Sequence, residues 1–364
     1  MRNGAGFIPS RTGPKGSPMK ALVLEEYKRF AYVDVPDPDL RGPKDVIVRV
    51  RAAAICGSDV HGMDGSTGRR RPPVIMGHEA AGEIVRTGTE VRRFKPGDRV
   101  TFDSTEYCGE CWHCRRGEVN LCDDRRVLGV SCEEYRRDGA FAEYVAVPER
   151  ILYPLPEGLS FVRASLTEPL AVAAHAAMLS PPLPGESAAV VGAGLIGLLL
   201  IQVLRTSTSG PLFALDTDPD RRAQALRLGA DYALDPADPG ALEELRSRCG
   251  GRGADKAWEA VGITSAVATA VDCLRKGGAL TLIGNASPRI DLALQKVVTR
   301  QLTLRGSCAI AGEYPLALDL MARGQVDVDA LISATAPLSE GAAWFNRLYA
   351  REPGLLKVVL EPGR

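Results

Sequence analysis

Apolar residues recur along the chain with two different periods, and the change falls near residue 165. Between residue 19 and about residue 147 the signal is short alternating stretches separated by turns. Residues 45–53 (DVIVRVRAA) alternate apolar and polar positions, the pattern of a half-buried strand. Lys95-Pro96-Gly97-Asp98 predicts a turn into a strand over 99–102, and 141–147 predicts another strand stopped by Pro148. Beyond residue 165 a helix is predicted over 168–178, followed by a Pro-rich stretch over 180–185. Strands over 188–191, 212–215, 257–259, 279–283 and 302–304 then alternate with helices over 195–204, 220–228, 240–249 and 265–274. Such alternation implies parallel pairing through right-handed crossovers, a doubly wound sheet. After Gly306 the pattern loosens, and the C-terminal residues are expected to return to the β-rich part. The expected class is α/β, with a β-rich domain over 19–168 and 307–364 and a Rossmann domain over 169–306.

Composition narrows this little. Hydrophobic residues make up 45% and charged residues 25%, ordinary for a globular protein. Lys plus Arg and Asp plus Glu both number 45, so no global field draws nucleic acid or an anionic membrane. One basic run, Arg69-Arg70-Arg71, is expected to be a solvated loop, with a contact to an anionic substrate as the alternative. Residues 1–18 are rich in Gly, Pro, Arg and Ser without an apolar core, so a disordered extension is expected rather than a signal peptide. The nearly continuous apolar run over 188–204 is broken by Gly192, Gly194 and Gly197, and is expected to be strand, turn and helix rather than a membrane span. Isolated cysteines at Cys132, Cys249, Cys273 and Cys308 do not form a disulfide framework, which points to a reducing, cytoplasmic setting.

Candidate chemistry changes the picture more. Cys108, Cys111, Cys114 and Cys122 fall at spacing C-x2-C-x2-C-x7-C within a lobe over about 103–123, as a closed tetrathiolate zinc site requires. Gly192-Ala193-Gly194-Leu195-Ile196-Gly197 lies between a predicted strand and helix. The first glycine permits a tight turn, the second lets backbone approach a pyrophosphate, and the third allows close helix packing. Asp216 ends the next predicted strand, where an acid accepts hydrogen bonds from ribose hydroxyls and disfavours a 2′-phosphate. NAD is therefore expected, with NADP kept as the lesser alternative because Arg221 and Arg222 follow closely. Three further segments carry candidate metal ligands: Cys56 in 54–61, His78 and Glu79 after Gly77, and Glu168 before Pro169.

The segments Cys56-Gly57-Ser58-Asp59-Val60-His61, Gly77-His78-Glu79 and Glu168-Pro169-Leu170, with the cysteine lobe and the glycine motif, resemble the zinc-dependent medium-chain dehydrogenase/reductase family. Within it they look most similar to the polyol branch of sorbitol, galactitol-phosphate and butanediol dehydrogenases. The resemblance spans nearly everything from Met19 onward. It implies a GroES-like catalytic domain beside the Rossmann domain, and a homodimer or homotetramer. It implies catalytic zinc on Cys56 and His78, with Glu79 and Glu168 as the acidic members; which carboxylate ligates directly stays open. It also implies that Ser58 accepts the alcohol proton and His61 passes it to solvent.

The expected function is oxidation of a secondary hydroxyl of a polyol, cyclitol or sugar alcohol to a ketone by NAD. The alternatives are a simple alcohol or threonine-type dehydrogenase, and a non-catalytic dinucleotide-binding protein. Two departures from animal sorbitol dehydrogenases stand out: Gly62 follows the relay histidine where those enzymes carry Tyr, and Gly306-Ser307-Cys308-Ala309-Ile310 lacks an arginine. Those animal enzymes also lack the four-cysteine lobe.

Overall fold

The computed structural model describes residues 18–132 and 135–363, so nearly all of the expected N-terminal extension lies outside the described residues. Strand Asp45–Ala54 forms the spine of a seven-stranded sheet. Glu79–Thr87 flanks it on one side, followed by Arg99–Phe102 and Leu152–Pro154; Lys357–Glu361 and Ile332–Pro337 extend the sheet on the other, and Tyr144–Pro148 also pairs with the spine. The period-two pattern predicts one wet face here. The wet positions are confined to exposed Arg49 and half-buried Arg51, while Val46, Ile47, Val48, Val50 and Ala53 are all buried, because the strand is central and most of both faces is covered. Val46, Val48 and Val50 pack into one hydrophobic core, whereas Ala52 and Ala54 join a second that continues into the Rossmann half.

The second sheet has six parallel strands in the order Tyr232–Leu234, Leu212–Leu215, Ala188–Val191, Ala254–Glu259, Leu274–Leu282 and Thr303–Gly306. All five strands predicted in this half are present. Tyr232–Leu234 was not anticipated, since three residues are too few to display a period. Strand order reverses at Ala188–Val191, whose neighbours lie on opposite sides, creating the crevice where ligands of such sheets bind. Residues 188–204 are strand, glycine turn and helix Leu195–Arg205, and no described helix is long and apolar enough to cross a membrane. Helix Thr167–Leu179 straddles the expected boundary at 168, so the first crossing between domains is helical rather than a loop. The chain then returns to the first sheet, and pairing of Val359 with Ala54 carries Lys357 to the interior beneath Ile55.

Candidate active site, dinucleotide cleft and metal centres

Cys56 lies two residues beyond the spine strand and caps the short helix Gly57–Gly62, its Sγ accepting from Ser58 N at 3.4 Å and Ser58 Oγ at 3.3 Å. Ser58 would be the ordinary candidate for that cap; the thiol takes the role because the helix begins two residues earlier than a Ser58 cap would place it. Ser58 and His61 are both exposed on this helix. His78 and Glu79 enter from the neighbouring strand, whose first residue pairs with Ala54 and so lies beside Cys56. Gly77, at φ +97°, makes the turn that aims them inward.

The ligand atoms of Cys56, His78 and Glu79 all lie within 4.8 Å of one another. Glu79 is fully buried, and Lys357 Nζ donates to its Oε2 at 2.6 Å and to Ile55 O at 2.9 Å. Among the described residues, Glu79 Oε1 and His78 Nδ1 have no aligned hydrogen-bond partner. His78 Nδ1 does face Asp59 Oδ2 at 3.4 Å, and Arg70 Nη2 donates to the other Asp59 oxygen at 2.7 Å. Burial alone would raise the Asp59 carboxyl, but His78 and Arg70 outweigh it and hold the group well below the usual carboxylate range. Burial likewise would lower His78, yet Asp59 and Cys56 raise its imidazole well above the ordinary value. A cation entering this nest of thiol, imidazole and carboxylate must displace that proton, and the donor set suits zinc.

Glu168 stands outside the three-residue cluster among the described residues. It opens its helix, accepts from Ser104 Oγ at 3.3 Å, and is pushed up to about 7 by desolvation, with Glu79 and Asp103 adding to the rise and His78 opposing it.

In the lobe, the four sulfurs of Cys108, Cys111, Cys114 and Cys122 also lie within 4.8 Å of one another. Cys108 Sγ accepts backbone N–H groups from Glu110 at 3.4 Å and Cys111 at 3.3 Å, and Cys122 Sγ accepts that of Cys108 at 3.2 Å. Such bonds favour thiolates, as a closed zinc site needs. His113 is half-buried against Glu118 at 2.9 Å, and His175 is packed, with Nδ1 2.8 Å from Glu313.

The glycine turn has the properties its spacing implies. Gly192 has φ +95°, and a Cβ there would meet Val261 Cγ2 at 2.5 Å. A Cβ on Gly197 would lie 1.8 Å from Gly192 O, so only glycine lets helix Leu195–Arg205 approach the turn. Around Gly194 a Cβ would meet nothing within 4 Å, leaving an open cradle at a helix N-terminus that no side chain caps. Leu195 and Ile196 form its half-buried first turn, and the N–H groups at a helix N-terminus are free to donate to an anion. Asp216 is 9% exposed, and its carboxylate accepts from Ala193 N at 2.7 Å and Asp218 N at 2.9 Å. It therefore clamps the glycine turn. Arg222 is tied to Asp216 O and Asp235, whereas the more exposed Arg221 lies 3.9 Å from Asp216 Oδ2.

Three residues of the centre escaped the sequence. Asp59 sits inside the Cys56–His61 segment but carries no signal of its own. Lys357 has one faint signal, a charge set directly before the apolar run Val358-Val359-Leu360. Arg70 belongs to the run expected to be solvated, yet it is 2% exposed.

Residues 42–157 match the alcohol dehydrogenase GroES-like domain, and residues 196–323 match the zinc-binding dehydrogenase domain. Sorbitol dehydrogenase of Bacillus subtilis (strain 168) is 32% identical over 350 residues, 95% of this chain and 98% of that protein. D-arabitol-phosphate dehydrogenase of Enterococcus avium is 32% identical over 340 residues, 92% of this chain and 94% of that protein. A zinc-binding dehydrogenase from Sinorhizobium meliloti 1021, solved bound to NADP, superposes with a TM-score of 0.86 at 31% identity, covering 95% of this chain and all of that one. With its fold, its motifs and this full-length similarity, the chain belongs to the zinc-dependent medium-chain dehydrogenase/reductase family.

Proposed function

We propose that this protein oxidises a secondary hydroxyl of a polyol, cyclitol or sugar alcohol to the ketone, with NAD as acceptor. The observation that carries this is the convergence of Cys56, His78 and Glu79 within 4.8 Å, where Glu79 Oε1 is buried without a hydrogen-bond partner among the described residues. These three residues would hold the catalytic zinc, with Glu168, outside the cluster, as the second acidic member. The four lobe cysteines hold a second, structural zinc. When bound, zinc acidifies the alcohol oxygen and the oxidised dinucleotide accepts the hydride.

The chain supplies the rest. Ser58 Oγ accepts the hydroxyl proton, and the exposed imidazole of His61, on the same helix, passes it to water. Gly194, Leu195 and Ile196 present backbone N–H groups to the pyrophosphate. Asp216 accepts from the adenosine ribose hydroxyls and disfavours a 2′-phosphate; this supports NAD here, although the Sinorhizobium relative was solved with NADP.

A polyol substrate is supported by the sorbitol and arabitol-phosphate relatives. NADH formation across linear polyols, cyclitols, amino-cyclitols, sugar phosphates, butanediol and threonine tests the proposal, with chelator-treated enzyme as control. Metal-dependent turnover of polyols or cyclitols is expected; turnover confined to threonine or simple alcohols would overturn the substrate class.

A further inference from the structure

We propose that Arg70 is a positioning residue of the catalytic centre, one that holds the relay serine and the carboxylate behind His78 as a single unit. With Cys56, His78 and Glu79 as the zinc ligands proposed above, Arg70 makes no contact with the metal and acts through Asp59 and Ser58. Its Nη2 donates to Asp59 Oδ1 at 2.7 Å and lies 3.5 Å from Ser58 Oγ, while Asp59 Oδ2 faces His78 Nδ1 at 3.4 Å. One guanidinium nitrogen therefore touches both the proton relay and the support of a zinc ligand.

The surrounding chain is built to bury this arginine. Arg69 and Arg71 are exposed, whereas the Arg70 side chain is 3% exposed. Ser131 pins the backbone on either side: its N–H donates to Arg69 O at 3.1 Å, and its hydroxyl accepts from Arg71 N at 2.8 Å and donates to Arg71 O at 3.0 Å. Gly62 clears the path for the stem, because a Cβ there would lie 2.6 Å from Arg70 Cγ. The glycine that follows His61, a departure from the animal sorbitol dehydrogenases, thus has a physical reason: the arginine occupies the volume a larger side chain would take.

Stability alone is a weak reason for the arrangement. A buried ion pair roughly repays its own desolvation and is often no better than apolar packing of the same volume. An anchor for anionic substrates fits poorly too, since the charge is already neutralised by Asp59 and shielded from solvent. While Nη2 serves Asp59 and Ser58, Nη1 donates to Arg69 O at 3.4 Å, and the rigid planar group fixes these donors relative to one another, which the single point charge of Lys does not.

The test compares the zinc-loaded wild-type enzyme with Arg70→Gln, Arg70→Lys and Gly62→Ala. Zinc release to a chromogenic chelator is read beside kcat, KM for NAD and the melting temperature. Loss of a residue that orients a metal ligand typically weakens metal binding by about 10- to 100-fold. Arg70→Gln should release the catalytic zinc faster by roughly that factor and lower kcat on every substrate, leaving KM for NAD and release of the lobe zinc unchanged. Arg70→Lys should recover only part of both effects. Gly62→Ala should push the stem aside and reproduce both in weaker form with the charge still present, and it carries the test if Arg70→Gln does not fold. Wild-type zinc release and kcat in a folded Arg70→Gln enzyme would overturn the proposal. A raised KM confined to anionic substrates would also overturn it, in favour of an anion anchor. A Cys56→Ser enzyme that still retains both zinc ions would instead defeat the underlying ligand assignment.

Discussion

Replacing Lys357 with methionine removes a buried ammonium while keeping most of the side chain's volume, so the loss can be assigned to charge. Lys357 is 1% and Glu79 0% exposed, and they meet at 2.6 Å. Glu79 Oε1 already has no protein partner among the described residues, so the substitution leaves the whole carboxylate unpaired. Breaking one side of a buried ion pair costs about 3–5 kcal/mol. For a domain of this size each kcal/mol moves the midpoint by about 2–4 °C, giving a drop of roughly 6–20 °C. Although burial opposes it, Glu79 and Cys56 raise the Lys357 pKa, so its contribution is fully present below the unfolded value of 10.5 and is lost only above that pH. A melt at pH 7.5 followed by circular dichroism therefore reads the full effect.

The drop should be largest in metal-depleted protein, because a zinc ion on Glu79 replaces part of the missing charge. Adding Glu79→Gln to the metal-free Lys357→Met protein should recover much of the loss, as contacting partners are not additive. A metal-free loss under about 1 kcal/mol, the range of an exposed pair, with no recovery in the double variant, would refute the buried-pair reasoning.

Gly194→Ala should fold normally, since its Cβ meets nothing within 4 Å, yet bind NADH at least about tenfold more weakly by fluorescence titration because the methyl fills the pyrophosphate cradle. Gly197→Ala, whose Cβ would lie 1.8 Å from Gly192 O, should lose both NADH binding and melting temperature. Asp216→Ala should shift the ratio of kcat/KM for NAD over NADP toward NADP, and an unchanged ratio would remove Asp216 from the ribose role. Burial pushes the Asp103 carboxyl up to about 7 from 3.8, with Glu313 adding to the rise against the N–H bond from Thr105. Glu168 and the phenols of Tyr107, Tyr153 and Tyr314 also face it. The native state thus binds this proton more tightly than the unfolded chain, and the stability it contributes below about pH 4 is lost as pH rises through 7. Asp103→Asn should flatten that decline in urea midpoints measured between pH 5 and 8.

Local chemistry made much of the protein legible. The glycine turn, the cysteine spacing and the strands of the Rossmann half depend on residues close in sequence, where period and spacing carry the information. The spine strand Asp45–Ala54 reads as half-wet, which holds at Arg49 and Arg51, but that Asp45, Ile47 and Ala53 are buried as well depends on tertiary packing that no local pattern shows. Lys357 reaches Glu79 across 278 residues through strand pairing, a distance no motif spans. Arg70 shows the limit most clearly, since three consecutive arginines look alike in sequence. Which one is buried depends on Gly62 and Ser131, and nothing local announces either contact.

The most direct test of the central claim is metal content and turnover of Cys56→Ser beside the wild type. Loss of one of the two zinc ions, with NADH still bound and polyol oxidation abolished, is the predicted result. Undiminished turnover, or an unchanged zinc content, would contradict catalysis by a zinc centre built on Cys56.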